Sequence, residues 1–111
     1  MIMLKINTME ELKQLYAKKE PYLLMKHSLT CPISSEAFAE TETFAGQSEN
    51  LPVYYLNVQE FREGSSDASE HFQIKHESPQ AFLVSDGKVV WHDSHWRITN
   101  EKLRTAAENL N

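Results

Sequence analysis

The chain has 111 residues, of which 41% are apolar and 24% charged, and a formal net charge of −5. This is ordinary usage for one globular domain, 1–111, large enough to close a core without disulfides or metal. The acidic balance argues against nucleic-acid and anionic-membrane partners, which reward basic patches, and the longest unbroken apolar run, Tyr22-Leu23-Leu24-Met25, is far too short to span a bilayer.

Met1 to Ile6 alternates loosely and predicts a short first strand. It has no long apolar stretch, so it does not read as a secretory signal, and a cytoplasmic location is expected. Thr8 followed by Glu11 makes a capping box, which satisfies free N–H groups at a helix start. Leu12, Leu15 and Tyr16 follow at helical spacing, and Pro21 predicts a stop near Glu20. Pro21 to His27 reads as a mostly apolar strand buried on both faces. Pro32 suits the first turn of a helix, where its missing N–H is not needed. Ile33, Ala37 and Phe44 lie on one face of that helix, with Phe38, Thr41 and Ala45 beside them, and Gly46 is a natural stop.

Val53 to Val58, rich in β-branched and aromatic residues, predicts a third strand. Glu63-Gly64-Ser65-Ser66 reads as loop, with a short helix from Ser66 to Gln73 carrying Ala68 and Phe72 on one face. Asp86-Gly87, between Ala81–Ser85 and Lys88–His92, favours the type I′ turn of a tight antiparallel hairpin. Thr99 predicts the cap of a last helix running to Leu110, with Ile98 and Leu103 packed as a hydrophobic staple. The order strand, helix, strand, helix, strand, helix, hairpin, helix predicts an α/β fold: a central mixed β-sheet flanked by helices.

Cys31 is the only cysteine, so it acts alone or with another molecule's sulfur. It follows an apolar strand and precedes a helix opened by Pro32. The first turn of a helix carries unpaired N–H groups and roughly half a positive charge, and both favour a thiolate over a thiol. The competing reading is a small buried apolar residue, the commonest role of a lone cysteine.

Thr30-Cys31-Pro32-Ile33-Ser34 is similar to the TCPIS motif of the YtxJ family of monothiol bacilliredoxins, thioredoxin-like proteins linked to the low-molecular-weight thiol bacillithiol. Met25-Lys26-His27-Ser28 and Ser78-Pro79 also resemble that family, and the likeness covers nearly the whole chain. Dithiol relatives carry a second cysteine where this chain has Ser34. The resemblance therefore implies monothiol exchange: the Cys31 thiolate removes bacillithiol from a client protein's mixed disulfide, and an external thiol clears the adduct. It implies bacillithiolated client proteins as partners, bacillithiol as thiol co-substrate, and no bound cofactor. It also implies that Pro79 is cis beside the cysteine and that Ser78 hydrogen-bonds substrate backbone. Thr30, Pro32 and Ser34 complete the expected substrate-binding set, with Ser34 read either as a donor to the Cys31 sulfur or as a plain early-helix serine.

Other features weigh less. His27 lies near Cys31 in sequence but has no assigned role. His92 and His95 fall short of the three or four protein ligands zinc usually takes, so no metal is expected. Trp91 and Trp96 read as core packing or as a binding patch. The alternative function is a non-catalytic thioredoxin-like module that binds proteins without turnover. A one-cysteine peroxidase would want threonine at position 28 and proline at 24, where this chain has Ser28 and Leu24.

Overall fold

The computed structural model describes residues 2–110; Met1 of the expected first strand lies outside them. In chain order the elements are β1 (Met3–Lys5), α1 (Met9–Tyr16), β2 (Tyr22–His27), α2 (Pro32–Gln47), β3 (Val53–Asn57), α3 (Arg62–Phe72), β4 (Gln80–Ser85), β5 (Lys88–Ser94) and α4 (Asn100–Glu108), with a short 3₁₀ turn at His95–Arg97 before α4. The five strands form one mixed sheet in the order β1-β3-β2-β4-β5. β3 pairs in parallel with β1 and β2, whereas β4 runs antiparallel to both β2 and β5.

The central strands alternate between two cores, as a period-2 backbone requires. Leu23, Met25, Val53, Ala81 and Leu83 face Ala37, Phe44 and Ala45 of α2 and Leu103 of α4. Tyr22, Leu24, Leu56, Phe82 and Val84 face Leu12 and Leu15 of α1, with Phe61 and Phe72 from the α3 region. Each fully buried Leu or Phe here contributes roughly 1.5–3 kcal/mol. β2 is buried on both faces, as its composition predicts, and puts its carboxyl end in the middle of the sheet.

The Thr8–Glu11 capping box forms in both directions. Asp86 and Gly87 take positive φ values of 53° and 74°, as a type I′ turn requires. Thr99 caps α4, accepting from Lys102 N–H at 3.2 Å. The α1 helix ends at Tyr16 rather than near Glu20, and the Lys19 carbonyl accepts from the hairpin's Asp86 N–H instead of continuing the helix. The α3 helix begins at Arg62, so Gly64 and Ser65 are helical and buried rather than loop. The Phe61 ring lies where a Cβ on residue 64 would be, 2.2 Å from it. Gly64 therefore marks close packing, not a turn. In α2 the inner positions are Ser34, Ala37, Thr41, Phe44 and Ala45, while Ile33 points outward at 37% exposure.

Candidate active site

Cys31 is the N-cap of α2, with extended backbone at φ −107° and ψ 120°, and its side chain is half-buried. Its carbonyl accepts the first intrahelical bond from Ser35 N–H at 3.0 Å. The side chain makes no capping bond, so the sulfur is not spent on its own helix. Pro32 has no N–H to offer, which leaves the Ile33 and Ser34 N–H groups as the first-turn donors without intrahelical acceptors. Thr30, Pro32 and Ile33 around the cysteine are all exposed.

The loop leading to Cys31 is held from two sides. From below, the fully buried Ser34 accepts from Ser28 N–H at 2.8 Å and pairs with His27 Nδ1 at 2.9 Å. The arrangement that uses each group once has Ser34 O–H donating to Nδ1, with the ring proton on Nε2. Burial lowers the His27 pKa from its ordinary value, against the opposing field of Glu42, which suits a neutral ring packed on Phe38 at 4.5 Å. Ser34 thus ties the loop and is not hydrogen-bonded to the Cys31 sulfur. From the side, Gln59 accepts from Leu29 N–H at 3.0 Å and donates to Ser28 Oγ at 2.9 Å and Thr30 Oγ1 at 3.3 Å. Next to it, Val58 N–H donates to the His27 carbonyl at 2.8 Å.

The Ser78–Pro79 bond is cis. Lys26 of β2 pairs with Gln80 of β4, so the next step of that register sets Pro79 beside His27, at the sheet end where the Cys31 loop begins. Pro79 is buried and its carbonyl accepts from His95 N–H at 3.0 Å. The Ser78 hydroxyl is buried without a hydrogen-bond partner. Gln80 holds this second loop: its amide donates to Lys75 O at 2.9 Å and accepts from Glu77 N–H at 3.3 Å. Gln59 and Gln80, which hold the two loops, are missed by sequence reading. Each is bound to its loop by a side-chain amide, which leaves no spacing motif.

The remaining candidates have other partners. Asp93, between the two histidines considered for metal, accepts from Arg97 Nε at 2.6 Å and from Ser94 N–H at 2.9 Å. Trp91 packs against the α2-side core, while Trp96 is 68% exposed.

Solved structures share this fold. A proposed oxidoreductase with a thioredoxin fold superposes with a TM-score of 0.88 at 32% identity, covering 96% of this chain and 94% of that one. Thioredoxin from Fasciola hepatica matches with a TM-score of 0.77 at 18% identity over the whole of both chains. Thioredoxin from Trypanosoma brucei brucei gives 0.79 at 10% identity, covering 97% of this chain and 89% of that one. The last two identities speak for the fold alone. The family model for monothiol bacilliredoxin BrxC matches residues 4–103. With a thioredoxin-like fold, one cysteine at the head of α2 and no second cysteine, the chain belongs to the monothiol bacilliredoxin BrxC family.

Proposed function

We propose that this protein removes bacillithiol from client-protein mixed disulfides through the Cys31 thiolate. In the first step the thiolate attacks the bacillithiol sulfur, a Cys31–bacillithiol disulfide forms, and the client cysteine leaves as its thiolate. In the second step another thiol, bacillithiol itself in the simplest case, attacks that adduct. Cys31 leaves as thiolate and the two small thiols leave joined as a disulfide. Each step exchanges one disulfide for another, so no further oxidant or reductant is needed within the cycle.

The observation that carries this reading is what stands three residues after Cys31. Ser34 is fully buried and committed to Ser28 and His27, so the chain has no internal group to release an adduct. Cys31 is accessible enough to be attacked and to leave, and the Ile33 and Ser34 N–H groups favour negative charge at the sulfur in both steps. The unpartnered Ser78 hydroxyl beside Pro79 is a further polar group for the incoming substrate. A cytoplasmic setting, where thiols stay reduced, fits this use of a single free cysteine.

The test is recovery of the client thiol. A client carrying a bacillithiol mixed disulfide is incubated with catalytic amounts of the protein and excess bacillithiol, and free client thiol is followed in time. Multiple turnovers that vanish in Cys31→Ser are expected. Release no faster than with bacillithiol alone would move the reading to a protein-binding module without turnover.

A further inference from the structure

On the α3 side of the same sheet end lies a cavity of 370 Å³ lined by Val58, Arg62, Ser65, Ser66, Ser69 and His76. Beneath it is Lys26, 0% exposed. Its ammonium donates to Ser69 Oγ at 2.6 Å and to His76 Nδ1 at 3.1 Å. Since an ammonium has only donors, Nδ1 accepts and the His76 ring proton sits on Nε2. Ser65 Oγ is 3.4 Å from the same nitrogen. Burial pulls the Lys26 pKa down to about 8, and burial together with the Lys26 charge lowers that of His76, with Glu77 opposing.

The cluster lacks an anion. Among the described residues neither Lys26 nor Arg62 forms an ion pair; the pairs present are Lys5–Glu60, Arg97–Asp93 and Lys102–Asp93. Acidic residues adjoin the lining positions in sequence, Glu63, Asp67, Glu70 and Glu77, but among the described residues none of them pairs with Lys26 or Arg62. Asp67 accepts from the Tyr16 hydroxyl at 2.9 Å, and Glu77 is held by Ser94 and by the charges of His95 and Arg97. A buried lysine without a counter-charge is unfavourable unless something negative comes to it. The rim residues Arg62, Ser66 and His76 are exposed, so a small solute can enter.

The cavity also adjoins both loops of the candidate active site. Val58 lines it and donates to His27 O, and Gln59, the next residue, binds Ser28, Leu29 and Thr30. His76 stands two residues before Ser78 and the cis Pro79.

We infer that this cavity is an anion site, in which Arg62, Ser65, Ser69 and His76, backed by Lys26, take the carboxylate end of the small thiol whose sulfur is exchanged at Cys31. This rests on the exchange reading above and adds to it what selects the thiol: a carboxylate-bearing one, such as the malyl group of bacillithiol, over an uncharged one. Arg62 supplies a planar fork for a carboxylate, and the serines and His76 supply neutral donors.

Two measurements test it. In the first, free malate is titrated into the intact protein while the His76 ring and the Ser65 and Ser69 amides are followed by NMR, with dimethyl malate and inorganic phosphate as comparisons. Saturable shifts with malate, absent with the diester and weakened about tenfold in Arg62→Gln, are expected. No shift, equal shifts with the diester, or tighter binding of phosphate than of malate would overturn the assignment. This titration does not involve Cys31, so it succeeds or fails separately from the exchange reaction. In the second, kcat/KM is compared for mixed disulfides of one client with bacillithiol and with mercaptoethanol. The ratio is expected to fall about tenfold in Arg62→Gln and in Lys26→Met, mainly through KM. An unchanged ratio in Arg62→Gln, whose exposed side chain is no folding risk, would contradict the inference.

Discussion

The two sides of one sheet end handle buried polar groups in opposite ways. On the α2 side, His27, Ser28 and Ser34 form a neutral set in which each group meets a partner within 3.0 Å. On the α3 side, Lys26 brings a cation into the interior and meets neutral partners, Ser69, His76 and the face of the Phe82 ring at 5.6 Å. Neutral hydrogen bonds fix geometry, whereas an uncompensated charge leaves an attraction unspent. The α2 side holds the loop that carries the cysteine, and the α3 side is the one proposed above to take a charged ligand.

The comparison can be broken at four points. The largest effect is expected for Cys31→Ser, which removes the sulfur without disturbing the cap position. Exchange should fall to the uncatalysed rate while the thermal unfolding curve stays in place, and activity surviving in this variant would remove the α2 side from the chemistry.

Next is the charge itself. The unfolded chain holds the Lys26 proton up to about 10.5, whereas the folded chain releases it near 8. Between those values the unfolded state binds more protons, so the contribution of this group to stability rises with pH. The penalty below pH 8 is on the order of 3 kcal/mol, reduced by the bonds to Ser69 and His76. Lys26→Met, a linear apolar replacement, should therefore be at least as stable as the parent at pH 7 in urea unfolding. Its advantage should shrink as the pH approaches 10. A variant clearly less stable at pH 7 would mean that the ammonium is well compensated inside the fold.

Ser34→Ala tests the neutral side. It leaves the Ser28 N–H and His27 without their partner, at a cost of about 1–3 kcal/mol. Unfolding midpoints should drop accordingly, and amide exchange at Ser28 should quicken. Gln59→Ala is the mildest change. It frees the outer edge of the Cys31 loop, with less than about 1 kcal/mol lost globally and a selective loss of exchange protection at Leu29.

Most of the fold is legible in the sequence because its signals are local. The Thr8–Glu11 box, the Asp86-Gly87 turn, Pro32 at the helix start and the two-sided apolar strand each declare themselves within a few residues. Gly64 misleads for the same reason: its neighbours spell loop, and only the Phe61 ring packed against it explains a glycine inside the helix. The cysteine and its cap position are likewise local. What holds them is not, since Gln59 reaches back 31 residues to Ser28 and Lys26 reaches forward 43 to Ser69. Ser34 shows the limit most clearly. Its position in the motif is readable, but its partners depend on which face of the first turn enters the core, and that is settled by packing of the whole helix.

The most direct test of the account is an intact-mass measurement of the protein during a single turnover. Reduced protein is mixed with one equivalent of a client bearing a bacillithiol mixed disulfide, and both chains are weighed at intervals. The account predicts that the bacillithiol mass leaves the client, appears on this chain at Cys31, and persists until a free thiol is added. A client that remains modified, or one that loses bacillithiol without the mass ever appearing on this chain, would contradict monothiol exchange at Cys31.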